Sequence, residues 1–401
     1  MKKKFILICL VIIAFVVSLP ILSANITEKN FNLQTELQKN GLQALEIVDI
    51  TETKVDINDK EIFHTALMGR SEFEQIRTSK STEESFTVIV ETIGSDITYA
   101  YREATDEAPV LYILPGNAET DKPIMKTHEH ECEGCQDKSN IGINALPGCN
   151  GPCSKDTEIP GGLGTRLPMP RTGSGGNLLT YTVTTSSTSQ TLNPLGPGDI
   201  NIQGACYLYG GFSGRTVGNS NVESDLGFIY QSLAGTSIMA WKPFFRLSVA
   251  GVSDWGSPVA PYNQVYNKNG YIPGQDVGVE IARNHNNTGR VRLRTEGLAY
   301  HADYLGNGGN TWLIHIIQSE PLTGNNAINT ISTFKLIAHP AHPNSGQYAN
   351  DSSIIKTRVH GNYKNIRIDG SVPAFSNTQK DYGYATKDGT NSYTLGVCKG
   401  F

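Results

Sequence analysis

The spacing of apolar and polar side chains changes character near residue 177. Beyond it, apolar residues fall at every second position in short runs, the period of a strand with one buried face. In DVGVEIAR, Val277, Val279 and Ile281 point one way and Glu280 the other; in TGRVRLRTEG, Val291 and Leu293 oppose Arg290, Arg292, Arg294 and Glu296. Further runs of this kind, among them DINIQGACYLYGG, LGFIYQS, KPFFRLSVAG, NTWLIHIIQ, STFKLIAHP, IIKTRVHG and KNIRIDG, are separated by NG, GNGGN and DG turns. The pattern predicts a mainly β protein whose residues 177–401 form an antiparallel β-sandwich of the jelly-roll or lectin-like kind. Helix–strand alternation, which would signal a parallel sheet, is missing from the pattern.

The front of the chain reads differently. Leu33, Leu37 and Leu42 suggest a short amphipathic helix ended near Gly41, and SFTVIVETI, DITYAYRE and PVLYIL read as strands, the first two joined at Gly94-Ser95. Residues 25–115 are therefore expected to form a small acidic α+β domain, either a plain structural module or a pro-segment. Residues 116–176 hold a Cys/His cluster and then IPGGLGTRLPMPRTGSGG, whose Pro and Gly density predicts an irregular linker.

Charge supports that division. From Asn25 to Pro160 there are 12 Lys/Arg against 25 Asp/Glu, a net of 12 − 25 = −13, whereas from Gly176 to Phe401 the count is 16 against 13, a net of +3. Neither half carries the clustered basic surface of a nucleic-acid binder. The first 24 residues add a compartment: Lys2, Lys3 and Lys4, an apolar run from Phe5 to Val17, and a small residue, Ala24, at the expected cut form a secretory signal peptide. Cys9 sits inside the apolar run, which argues against a lipoprotein anchor, and later apolar runs are too short to span a bilayer. The mature protein is thus expected to be exported, extracellular or associated with the cell wall, without a membrane span.

An exported chain changes how the cysteines are read. HEHECEGC places His128 and His130 beside Cys132 and Cys135, with Cys149 and Cys153 following at a spacing close to a zinc ribbon. An oxidising exterior converts such thiols to disulfides before metal arrives, so crossed bridges within 132–153 are favoured over zinc. Cys206 and Cys398 are expected to form a long-range bridge. Calcium has oxygen donors in GNGGN, NHNNTG and NSGQYANDSS, but these runs are rich in Asn and read first as turns, so no cofactor is favoured.

Nucleophile elbow, phosphate loop, dinucleotide fingerprint and H-E-x-x-H motif are all missing. Were the protein a polysaccharide hydrolase, Glu280 and Glu296 on neighbouring strands would be its carboxylate pair; were it a lyase, Arg292 or Arg294 would neutralise a uronate and His315 would be the base. The plainer alternative is an ion-paired strip on an exposed sheet face. For a binding module, Trp255, Tyr262, Tyr266 and Tyr271 are the candidate stacking surface, while Trp241 and Trp312, the latter in phase with Ile314 and Ile316, are expected to be core.

The stretch ESDLGFIYQSLAGTSIMAWKPFFRLSVAG (Glu223 to Gly251) and the strands to about Asp369 resemble the YrpD-type secreted proteins of Gram-positive spore-forming bacteria. The resemblance implies export and a β-rich domain and transfers no site residues. The leading expectation is a non-catalytic binder of an extracellular ligand, a carbohydrate or cell-wall polymer, ahead of a polysaccharide-acting enzyme and of a structural matrix or coat component.

Overall fold

The computed structural model describes residues 46–49, 85–93, 97–104, 107–115, 164–186, 205–233, 238–249, 252–255, 269–301, 309–341, 359–381 and 383–397. The signal peptide, the expected helix before Gly41 and the Cys/His cluster lie outside them. Among the described residues the regular structure is strand, with two 3-10 turns at His285–Asn287 and Gly324–Asn326, and no helix is long and apolar enough to cross a membrane.

In chain order the strands are β1 (Glu46–Asp49), β2 (Ser85–Thr92), β3 (Ile97–Ala104), β4 (Glu107–Pro115), β5 (Gly164–Pro170), β6 (Leu178–Thr185), β7 (Ala205–Thr216), β8 (Asn221–Ser232), β9 (Met239–Val249), β10 (Val252–Trp255), β11 (Asn269–Tyr271), β12 (Asp276–Ala282), β13 (Arg292–His301), β14 (Gly309–Gln318), β15 (Ile328–Ala341), β16 (Val359–Ile368), β17 (Gln379–Asp381), β18 (Gly383–Gly389) and β19 (Ser392–Val397). Their pairings join the nineteen described strands in one large sheet, which divides into two runs, the first and second sheets. The first runs β18–β19–β16–β6–β12–β13–β14–β2–β3–β4–β1. The second runs β17–β5–β15–β7–β8–β9–β10. At one end β11 pairs with both β13 and β9 and so joins the sheets; at the other the chain passes directly from β17 on the second sheet to β18 on the first.

The predicted β-rich architecture is present, with three differences. Two pairings are parallel, β1 with β4 and β2 with β14, although the sequence shows no βαβ pattern. Through β2 the strands expected in a separate front unit continue the first sheet. Part of the expected linker is also a strand. β5 contains Pro168 and Pro170, yet β17 pairs only with Gly164, Thr165 and Arg166, so the prolines fall where that side of β5 is not laddered. There the Pro168 carbonyl accepts from the Ser376 N–H (3.0 Å) instead.

Alternation builds the core. Leu179, Tyr181 and Val183 of β6, Val277, Val279 and Ile281 of β12, and Leu208 and Phe212 of β7 are buried inward, together with Trp241 and Phe245 of β9. Each fully buried side chain of this size contributes about 1.5–3 kcal/mol of hydrophobic stabilisation. Three of the polar ends that enter the core are satisfied across the gap between sheets. Tyr363 donates to the Ile337 carbonyl (2.7 Å), Trp241 Nε1 to the Ser186 carbonyl (3.1 Å) and Thr165 to the Gly396 carbonyl (2.7 Å). These bonds pin one sheet on the other and leave both outward faces to carry chemistry.

Candidate functional site

The outward face of the first sheet holds the charged strip. Register places Glu280 directly opposite Arg294 and Gly278 opposite Glu296, so the two carboxylates are diagonal neighbours with the arginine between them. Arg294 Nη1 lies 3.5 Å from Glu280 Oε1 and Nη2 2.5 Å from Glu296 Oε2, with side-chain exposures of 13% for Arg294, 46% for Glu280 and 27% for Glu296. Gly278 leaves the strip flat, since the nearest atom to a Cβ built there would be Glu296 Cγ at 3.2 Å. Arg292 is buried and bonds the His285 ring.

The strip continues across β6 and β16. Asp276 accepts from Thr184 Oγ1 (2.5 Å) and from Lys364 Nζ (3.1 Å). Partial burial pushes its carboxyl up, but these hydrogen bonds and the Lys364 charge together hold it below the ordinary value. Beyond Lys364, Asn362 donates to Asp388 (3.0 Å) and Thr394 (2.8 Å). The result is a flat polar surface of paired donors and acceptors crossing several strands.

This arrangement does not assemble the catalytic sets considered from sequence. A hydrolase pair needs open space between its carboxyl groups for the scissile oxygen, and the Arg294 guanidinium occupies it. The expected lyase base is on the wrong face. His315 pairs with Thr295, Arg294 with Ile316, so the imidazole points inward while the arginines point outward. Both His315 and Glu91 of β2 are about 5% exposed, 3.4 Å apart, and neither Glu91 oxygen finds a hydrogen-bond donor among the described residues. His315 thus faces a buried carboxylate across the β2–β14 junction.

The aromatic candidates divide. Tyr271 is fully buried, a correction to its expected place on a stacking surface: β11 is the corner strand, its ring meets Phe228 edge-on (5.5 Å) and its hydroxyl bonds Thr295 Oγ1 (2.7 Å). Burial pushes that phenol far up. Trp255 ends β10, and Tyr262 and Tyr266 lie outside the described residues. Trp241 is core as expected, whereas Trp312 is half-buried, in phase with Ile314 and Ile316, which are themselves buried.

Of the cysteines, Cys206 is a buried thiol without a disulfide among the described residues, pushed by burial to about 12; its expected partner Cys398 lies outside them, as do Cys132, Cys135, Cys149, Cys153, His128 and His130. Within the described residues no group of three or more His, Cys, Asp or Glu could hold a metal ion. The run from Asn284 to Gly289 forms the turn expected of it: Asn286 and Asn287 take positive φ and Asn284 Oδ1 accepts from the Gly289 N–H (2.7 Å).

A second cluster, on the outward face of the second sheet, escaped sequence reasoning. Tyr207 and Tyr209 meet Phe244 edge-on at 5.1 and 5.6 Å, with His339 beside both tyrosines. Beside them Lys335 Nζ contacts Glu223 Oε1 and lies 2.7 Å from Asp225 Oδ1, while Arg246 Nη1 is 3.6 Å from Asp225 Oδ2. Burial lifts the Tyr207 phenol to about 12 and lowers the Lys242 amine to about 8. Alternation in VESDLGF places Glu223 and Asp225 on one face, but the cation that joins them comes from 110 residues further along, beyond the reach of local pattern.

A family described as a domain of unknown function, YrpD, matches residues 156–397. No curated protein matches the chain.

Proposed function

The chain belongs to the YrpD family, and we propose that it acts outside the cell as a non-catalytic binder of a carbohydrate or cell-wall polymer, through the outward face of the first sheet. Export rests on the basic, apolar and small-residue pattern of residues 1–24. The single observation that carries the binding reading is Arg294 placed between Glu280 and Glu296: a pair held this way presents fixed donors and acceptors and leaves no room for a scissile bond. Thr182, Asp276, Lys364 and Asn362 extend those hydrogen-bonding groups over neighbouring strands, and half-buried Trp312 supplies a ring at one margin. Sugar hydroxyls suit such a surface, since each offers both a donor and an acceptor.

The test uses the purified full chain against a panel of soluble glycans and cell-wall polymers, with affinity electrophoresis for binding and reducing-end and unsaturated-uronate assays for cleavage. Binding without product is expected, weakened about tenfold by Arg294→Ala, the equivalent of one charge-assisted hydrogen bond. Product release abolished by Glu280→Gln or Glu296→Gln would replace the binder with an enzyme. Polymer binding unaffected by Arg294→Ala and Lys364→Ala would move the site off this face.

A further inference from the structure

Lys335 stands out among the buried titratable groups. Its side chain is 4% exposed although it lies on an outward face, and it reaches two carboxylates of β8, Glu223 (46% exposed) and Asp225 (17% exposed). It does so across an intervening strand. β15 pairs with β7 and β7 with β8, so the lysine must pass over β7. The β7 residue opposite Lys335 is Gly211, where a Cβ would lie 3.2 Å from Lys335 Cε and 2.0 Å from the Ser224 carbonyl oxygen. The bare backbone there is what opens the path.

The two carboxylates are not equivalent. Glu223 accepts a hydrogen bond from Lys335 Nζ. Asp225 Oδ1 is 2.7 Å from the same nitrogen yet is buried and accepts no hydrogen bond among the described residues, so that contact lies outside hydrogen-bonding geometry. Tyr209, buried on the same face, and Ile337 close the apolar side.

We propose that Lys335 and Asp225 become joined by an amide bond between Nζ and Cγ, with Glu223 as the proton carrier. Glu223 takes a proton from Nζ, whose lone pair attacks Asp225 Cγ. Glu223 passes that proton to an Asp225 oxygen and then carries a second proton from the newly bonded nitrogen to the same oxygen, so that the tetrahedral centre collapses with the Cγ–O bond breaking and water departing. One ammonium and one carboxylate become one amide and one water; no oxidant or cofactor enters the balance. Desolvation supplies the drive, because a buried ammonium–carboxylate pair loses hydration that a neutral amide does not require, and fixed proximity replaces an encounter. The product is a covalent strap from β15 to β8 across β7.

The experiment is intact mass under denaturing conditions on the full chain after reduction of cysteines, followed by proteolytic mapping. The expected result is a deficit of one water and a branched peptide joining Lys335 to Asp225. Glu223→Gln should restore the full mass with Lys335 and Asp225 unchanged, whereas Asp225→Asn should still close the bond by losing ammonia. Lys335→Arg keeps the charge, cannot form the bond and controls for folding by circular dichroism. Linear peptides carrying unmodified Lys335 and Asp225 from folded protein overturn the proposal, as does a water deficit that maps elsewhere or a branch to Glu223.

Discussion

The two outward faces each set a cation between two carboxylates, with Arg246 adding a second on the second sheet, and the difference between them lies in burial and in the identity of the central cation. Arg294 reaches partners on its own and the adjacent strand, is 13% exposed, and meets Glu280 and Glu296 along planar N–H directions. Lys335 crosses a strand, is 4% exposed, and meets Asp225 outside hydrogen-bonding geometry. A guanidinium stays charged and non-nucleophilic, while an amine can give up its proton and attack. On the two proposals, the same charge pattern would serve recognition on one sheet and a structural strap on the other.

The largest effects should therefore come from the second sheet. Lys335→Ala removes the strap and the cation shared by Glu223 and Asp225, leaving Asp225 with Arg246 at 3.6 Å, and should lower the unfolding free energy by about 3–5 kcal/mol, the range for breaking one side of a buried pair, read by urea denaturation. Gly211→Ala should approach that loss by a different route, because its Cβ would strike the Ser224 carbonyl and crowd the lysine stem; mass mapping of this variant should show the branch reduced. If Lys335→Ala shifts the transition no more than a surface substitution does, the two clusters are equivalent and the comparison fails.

How much of this was legible in sequence follows the range of each interaction. Alternation is local, so the inward set Val277, Val279, Ile281 and Leu293 and the outward set Glu280, Arg294 and Glu296 could be read directly, and so could the Asn-rich turn at Asn284–Gly289. His315 was placed with the arginines because local alternation orders residues within β14 but says nothing of its phase relative to β13, which the Thr295–His315 pairing sets. Tyr271 follows a related rule: local pattern groups it with Tyr262 and Tyr266 as a stacking ring, and only the corner pairing of β11 with both sheets buries it. The Lys335 cluster and the parallel β2–β14 junction depend on partners far apart in the chain, which no periodicity encodes.

Acid sensitivity gives a contrast of intermediate size. His360 of β16 is on the first sheet's side, and burial lowers its imidazole from 6.5 to about 4. Its folded value lies below its unfolded value, so between about pH 6.5 and 4 the unfolded chain binds the extra proton. Stability should be full above pH 6.5 and fall as pH drops through that window, by no more than about 3.4 kcal/mol at 1.36 kcal/mol per unit. His360→Gln should flatten this limb of a pH-dependent denaturation series while leaving the Lys335 branch intact. An unchanged limb would assign the acid sensitivity to other groups.

The smallest expected stability change is the most informative about function. Arg294→Ala removes a cation whose partners are 46% and 27% open to solvent, so the released carboxylates can rehydrate and their repulsion is screened by salt. Unfolding should shift by under about 1 kcal/mol, as for other exposed pairs, and less at high ionic strength. Polymer binding should nevertheless weaken, because the hydrogen-bonding directions that Arg294 and its partners fix for a ligand disappear. A large salt-independent loss of stability would instead make the strip a structural element like its counterpart on the second sheet, and the ligand would have to be sought elsewhere. Loss of binding with stability retained separates recognition from scaffolding on the first sheet, the separation that Lys335, tied into its own fold, should not permit.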